Sequence, residues 1–71
     1  MDNAVASANH KGYRLIASTD PAHAGLHAAN LTIERPGRAP HRFPALDYFY
    51  DAQQAVSYAT QWGRIWVDSH G

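Results

Sequence analysis

The feature that most constrains the fold is one amphipathic segment in the last third of the chain. Its apolar residues recur at helical spacing and are Ala52, Ala55, Val56, Ala59 and Trp62. Asp51 is a favoured N-cap residue, and Gly63 is the residue type that commonly follows the end of a helix. The pattern predicts one short helix closed by Asp51 and Gly63, and its small alanine side chains predict close packing on a sheet.

Alternating apolar and polar residues predict strands on both sides of this helix. Three strands are expected before it, at residues 13–18, 26–35 and 41–50, and a fourth after it at residues 64–69. Short turns favour antiparallel neighbours, because parallel pairing needs a long crossover. The sequence therefore predicts an α+β domain in the order β-β-β-α-β, with an antiparallel sheet of three to four strands and one helix on one face.

The third strand carries a proline, which cannot donate a hydrogen bond to a neighbouring strand. Pro44 therefore predicts an edge position or a bulge. A bulge changes which side chains face the core in the rest of the strand. Of Tyr48, Phe49 and Tyr50, we expect Phe49 to point inward.

The length of 71 residues predicts a single domain, with residues 1–11 as a flexible N-terminal tail and residues 12–71 as the folded unit. The first residues lack the basic start and apolar run of a secretory signal, so a cytoplasmic location is expected. No apolar run is long enough to span a membrane. The absence of cysteine excludes disulfides, thiol catalysis and cysteine-ligated metals.

An aromatic strand leads into residues 49–59, which read F-x-D-A-x-x-A-x-x-Y-A, and residues 63–68 read G-R-x-W-V-D. With these motifs residues 46–68 resemble a group of short uncharacterised bacterial proteins, in which an aromatic strand runs into such a helix and the unit ends in G-R-x-W-V/I-D. The resemblance covers about a third of the chain. It implies a compact α+β fold and a bacterial origin, and it implies no activity and no site residues.

The histidines and serines give little support for a catalytic or metal site. His23 and His27 have the spacing of a helical metal pair, but Gly25 between them disfavours a helix. Asp68 and His70 occur without a G-x-S-x-G elbow or a glycine-rich phosphate loop. We therefore expect no catalytic residue, no metal ligand and no cofactor, and a metal- or small-ligand-binding protein is the third interpretation.

Four arginines make nucleic-acid binding the second interpretation. Together with His41, three of them cluster around the predicted second turn, namely Arg35, Arg38 and Arg42, and Arg14 lies on the first strand. With nearby aromatic residues they fit a surface that pairs with the phosphates of a single strand and stacks on its bases. The balance of 6 basic and 6 acidic residues argues against this function, because such proteins normally carry a basic excess.

The leading interpretation is a non-enzymatic protein-interaction module. The predicted fourth strand places Trp66 on the sheet face that the helix does not cover, together with Ile16, Arg14 and Thr32. An uncovered face with a tryptophan is typical of an association surface. Zero net charge does not oppose contact with an identical copy. The expected partner is another protein or a second copy in a two-fold homodimer, bound through the open face or a sheet edge.

Overall fold

The computed structural model describes residues 4–70 as one sheet followed by one long helix. In chain order the strands and helix are β1 (Val5–His10), β2 (Tyr13–Pro21), β3 (His27–Glu34), β4 (His41–Phe43), β5 (Tyr48–Phe49) and α1 (Ala52–His70). A 3₁₀ turn at His23–Gly25 connects β2 to β3. Within this part of the chain no helix is long and apolar enough to cross a membrane.

The strands form an antiparallel sheet in the spatial order β1-β2-β3-β4, with β5 also paired to β3. β4 lies opposite residues 31–33 of β3, and β5 lies opposite residues 27–28. Between them Ala45 has a φ of 52°, and Leu46 N donates to Ala29 O over 2.7 Å. The edge position that Pro44 predicts is confirmed, because within residues 4–70 β4 and β5 pair only with β3. The continuous strand predicted at residues 41–50 is corrected, because it is divided into these two short strands.

The faces of the sheet match the alternation in the sequence. Leu15 and Ala17 on β2, and Leu31 and Ile33 on β3, are buried against α1. Phe49 packs on this core, as expected. Its neighbours on either side, the tyrosines at positions 48 and 50, are 45% and 74% exposed. The prediction of an α+β fold with an antiparallel sheet and one helix on one face is confirmed.

The helix begins where the sequence predicts but continues far beyond the predicted end. Gln53 N donates to Asp51 Oδ1 over 3.2 Å, so Asp51 caps the first turn. Gly63 does not end the helix, and the predicted strand at residues 64–69 is wrong, because α1 runs on to His70. Residues four apart on α1 form the buried stripe, which comprises Ala55, Ala59, Gly63 and Val67.

Gly63 is a glycine because the helix lies almost in contact with the sheet at this point. A Cβ there would lie 3.1 Å from Leu31 Cδ2 and 3.2 Å from Leu15 Cδ2. The packing of this stripe outweighs the strand preference of the β-branched and aromatic residues that follow Gly63. A glycine that resembles a helix end in the sequence is therefore a packing residue inside the helix.

The predicted flexible tail is also corrected, because part of it forms an edge strand. β1 pairs with β2 from Val5 opposite Ser18 to His10 opposite Tyr13. Residues 11 and 12 connect the two strands, with φ values of 52° and 84°. Two positive φ values in a two-residue loop are typical of a type I′ hairpin turn. The folded unit therefore begins before residue 12, while residues 1–3 of the predicted tail lie outside the described residues.

We expect Gly63→Val to destabilise the fold by about 1–3 kcal/mol, because the added atoms overlap Leu15 and Leu31. Ser57→Val is the matched control at an exposed helix position, where the main change is in helix propensity, by up to about 0.7 kcal/mol. Urea unfolding of both variants measures the difference. Equal stability of the two variants would contradict the close helix–sheet contact.

Candidate functional site

Charges of opposite sign lie at opposite ends of the molecule. The β1–β2 turn, the β3–β4 loop and the last turns of α1 share one end, because neighbouring strands are antiparallel and the helix runs back along the sheet. This basic end holds every Lys and Arg of the chain, namely Lys11, Arg14, Arg35, Arg38, Arg42 and Arg64. The opposite, acidic end holds Asp20, Asp47 and Asp51. Glu34 and Asp68 also lie at the basic end, which therefore carries six basic and two acidic side chains, so the zero net charge of the chain conceals an excess of positive charge there.

A tight turn presents two of these arginines. Arg38 N donates to Arg35 O over 3.1 Å. Pro36 and Gly37 occupy the two central positions, and Gly37 has a φ of 76°. Proline followed by a residue with positive φ is the pattern of a type II turn. The side chains of Arg35 and Arg38 therefore extend from the two corners of one rigid loop.

An arginine cleft lies on one side of this turn, with a volume of about 430 Å³. Its polar lining comes from Asn9, Arg14, Glu34, Arg35 and Arg38. Arg14 and Glu34 are cross-strand neighbours, and the three guanidinium groups together with one carboxylate give the cleft a net positive charge. Guanidinium groups are favoured for phosphate because they donate two parallel hydrogen bonds.

An aromatic pocket of about 240 Å³ lies on the other side of the turn, toward the helix. Arg35 and Arg38 line it too, opposite the rings of Tyr13, His41, Trp66 and His70. The guanidinium carbon of Arg35 lies 5.2 Å from the centre of the Tyr13 ring. The arginine cleft and the aromatic pocket therefore share their two cationic side chains.

The rings of this pocket form a packed cluster at the edge of the sheet. His70 stacks on Trp66 with centroids 4.7 Å apart, and His41 lies 4.9 Å from Trp66. Phe43 fills the space below, 4.8 Å from Trp62 and 5.8 Å from Trp66. His41 and His70 are exposed while Trp66 is half-buried, so the two histidines present the outer ring surfaces.

One carboxylate at the basic end is neutralised by its neighbours. Asp68 Oδ1 lies 2.9 Å from Lys11 Nζ and 2.9 Å from His10 Nε2. The hydrogen bonds from Lys11 and His10 hold the pKa of Asp68 below its usual value. These contacts tie the end of α1 to the β1–β2 turn and reduce the negative charge near the arginines.

The structure divides the surface that the sequence predicts for protein interaction. Ile16 and Thr32 are cross-strand neighbours on the open face, and Arg14 lies on the same face two residues before Ile16 on β2. Trp66 is not with them, because it belongs to the helix and packs against Phe43 on the other side of the sheet. The assignment of Trp66 to the open face is wrong, since it depended on a strand at residues 64–69.

The four arginines of the nucleic-acid interpretation lie in one half of the molecule. Arg14, Arg35 and Arg38 line the arginine cleft, and Arg42 lies on β4 opposite Thr32. His41 belongs to the predicted cluster around the second turn, whereas His70 was not predicted as part of this site. The four-residue spacing of Trp62, Trp66 and His70 is the signal that places His70 on the same helix face as the two tryptophans once α1 is known to continue.

The histidines with metal-pair spacing are separated by the turn between β2 and β3. His23 lies in the exposed 3₁₀ turn and His27 begins β3. His27 Nδ1 is buried and has no hydrogen-bond partner among the described residues. Within residues 4–70 no group of three His, Asp or Glu side chains is arranged to hold a metal ion.

Comparison with family models, curated proteins and solved structures gave no match to this chain. The resemblance of residues 46–68 to a bacterial group therefore stays a prediction.

We expect the ionised Asp68 side chain to stabilise the fold above its unfolded pKa of about 3.9. Because the pKa of Asp68 is lowered in the folded state, this stabilisation is lost as the pH falls through that lowered pKa. Carbon-13 NMR should show the Asp68 titration midpoint rising in Lys11→Ala. Arg64→Ala removes the same charge from a residue that bonds Gln61 instead, and the midpoint should stay nearly constant. An unchanged midpoint in Lys11→Ala would refute the ion pair.

Proposed function

We propose that this protein is a non-catalytic domain that binds single-stranded nucleic acid with its basic end. The observation that carries the proposal is the shared position of Arg35 and Arg38 between the arginine cleft and the aromatic pocket. Phosphate-binding groups and ring surfaces therefore adjoin, as the alternating phosphates and bases of a single strand require.

The sugar-phosphate backbone of the bound nucleic acid follows the arginine cleft. Arg14 and Arg38 are exposed there and offer guanidinium groups to phosphate oxygens. Arg42 extends the same surface across the open face of the sheet, opposite Thr32. Charge separation between the ends of the molecule also orients an approaching polyanion toward this surface before contact.

The bases stack in the aromatic pocket. His41 and His70 present exposed rings there, supported from behind by Trp66. Stacking on aromatic rings tolerates any base, because every base has a π-face. The proposal is therefore for binding with little sequence preference and a marked dependence on salt.

A single strand fits this surface better than a duplex. Reading a duplex in its major groove requires a helix or a two-stranded ribbon that protrudes far enough to enter it. Here α1 lies flat on the sheet with its apolar stripe buried, and the arginines extend from a short turn. Bases in a duplex are also paired and stacked on one another, so they do not reach the rings of His41 and His70.

We expect Arg38→Ala and Arg14→Ala to weaken binding of a fluorescent oligothymidylate in an anisotropy titration. Each variant removes one phosphate contact, so the negative slope of log K against log salt should become shallower by about 0.7 per contact. Arg64→Ala is the matched control, because it removes one positive charge from the outer helix surface, where Arg64 bonds Gln61. Equal losses in all three variants would mean that general charge, and not the arginine cleft, binds the strand.

We expect His41→Ala and His70→Ala each to weaken binding by about 1 kcal/mol, the lower end of the value of one base-stacking partner. His23→Ala, at the acidic end, is the control for removal of an exposed histidine. Tryptophan fluorescence should also change on binding in a Trp62→Phe background, because Trp66 lines the pocket. Unaltered affinity in both His41→Ala and His70→Ala would contradict the stacking of bases on these rings.

A further inference from the structure

The outer edge of β1 has the properties of a strand that receives another strand. Within residues 4–70 nothing in the sheet pairs with this side of β1. Residues 5–9 contain no charge, no proline and no glycine, and no bulge interrupts the register of β1 with β2. Monomeric proteins usually protect an edge strand with charged side chains, proline or a bulge, because a free edge pairs readily with another chain.

The hydrogen-bond pattern shows which residues of β1 have free backbone groups. Thr19 N donates to Ala4 O over 3.0 Å, continuing the register of β1 with β2. Along a strand of an antiparallel pair, residues whose backbone N–H and C=O groups bond to the neighbouring strand alternate with residues whose groups point away from it. Ala6 and Ala8 therefore bond to β2, whereas the N–H and C=O groups of Val5, Ser7 and Asn9 point away from the sheet.

We propose that a second copy of this chain pairs with β1 through these groups, making a two-fold homodimer with one continuous sheet. An antiparallel register centred on Ser7 places Ser7 opposite its copy and Val5 opposite Asn9. Each outward-facing residue of β1 then finds a partner. This inference does not depend on the proposed nucleic-acid function, because it is argued from the backbone groups of β1, although Asn9 also lines the arginine cleft.

Charge favours this antiparallel arrangement. A two-fold axis through Ser7 reverses the second copy, so the basic end of each copy lies beside the acidic end of the other. The β1–β2 turn, with Lys11, then lies on the same side of the dimer as the β2–β3 connection of the partner, which follows Asp20. Parallel pairing would instead bring the two basic ends together.

Cysteine cross-linking tests the register, because the chain has no cysteine of its own. The proposal places two Ser7→Cys side chains opposite each other, at a Cα separation of about 5.5 Å that a disulfide can bridge. Asn9→Cys is the control on the same strand and face. Its two copies would lie four residues apart along the sheet, roughly 14 Å, which a disulfide does not span.

We expect mild oxidation to give a covalent dimer of Ser7→Cys in high yield and little of Asn9→Cys. Sedimentation equilibrium should give the wild type twice its chain mass of 7.8 kDa and Ser7→Pro the monomer mass. Ser7→Pro removes an outward N–H and leaves the bonds of β1 to β2 intact, so its circular dichroism should match the wild type. A monomeric wild type at high concentration, equal cross-linking of both cysteine variants, or a folded Ser7→Pro variant that stays dimeric would overturn the proposal.

Discussion

The close contact of α1 with the centre of the sheet determines the rest of the structure. Gly63 lies where a Cβ would meet Leu15 and Leu31, and small residues continue the contact along the helix. Packing of this stripe keeps residues 64–70 helical, so they lie over the end of the sheet and do not form a further strand. Trp66 and His70 consequently reach the edge of the sheet, where they pack with His41 and Phe43.

The distribution of charge follows from the same topology. Antiparallel strands return to the same end of a sheet at every second connection, so the β1–β2 turn and the β3–β4 loop lie together. Both connections are basic, whereas the β2–β3 connection and the start of α1 are flanked by aspartates. A net charge of zero therefore does not exclude a polyanionic ligand, because most basic and acidic side chains lie at different ends of the molecule.

The parts of the fold that the sequence predicts are those that depend on local pattern. The strands at the centre of the sheet, the edge position that Pro44 marks and the cap at Asp51 all have local signals. The path after Gly63 was not predictable in this way, because its alternating residues favour a strand and only contact with Leu15 and Leu31 favours a helix. β1 was missed because its small residues resemble a tail, although Lys11 and Gly12 form a hairpin turn. Of the candidate site, the arginines and His41 were predicted, but the placement of Trp66 and His70 required the full length of α1.

The central claim is that the basic end is the ligand-binding surface of this domain. The most direct measurement is a nitrogen-15 NMR titration of the whole chain with an unlabelled oligothymidylate. The account predicts shifts in the amides of the β1–β2 turn, the β3–β4 loop and the last turn of α1, with Arg35, Arg38 and His70 among the largest. It predicts almost none in the β2–β3 connection at the acidic end. Amide shifts that are absent at a large excess of oligothymidylate, or that are spread equally over both ends of the molecule, would contradict the account.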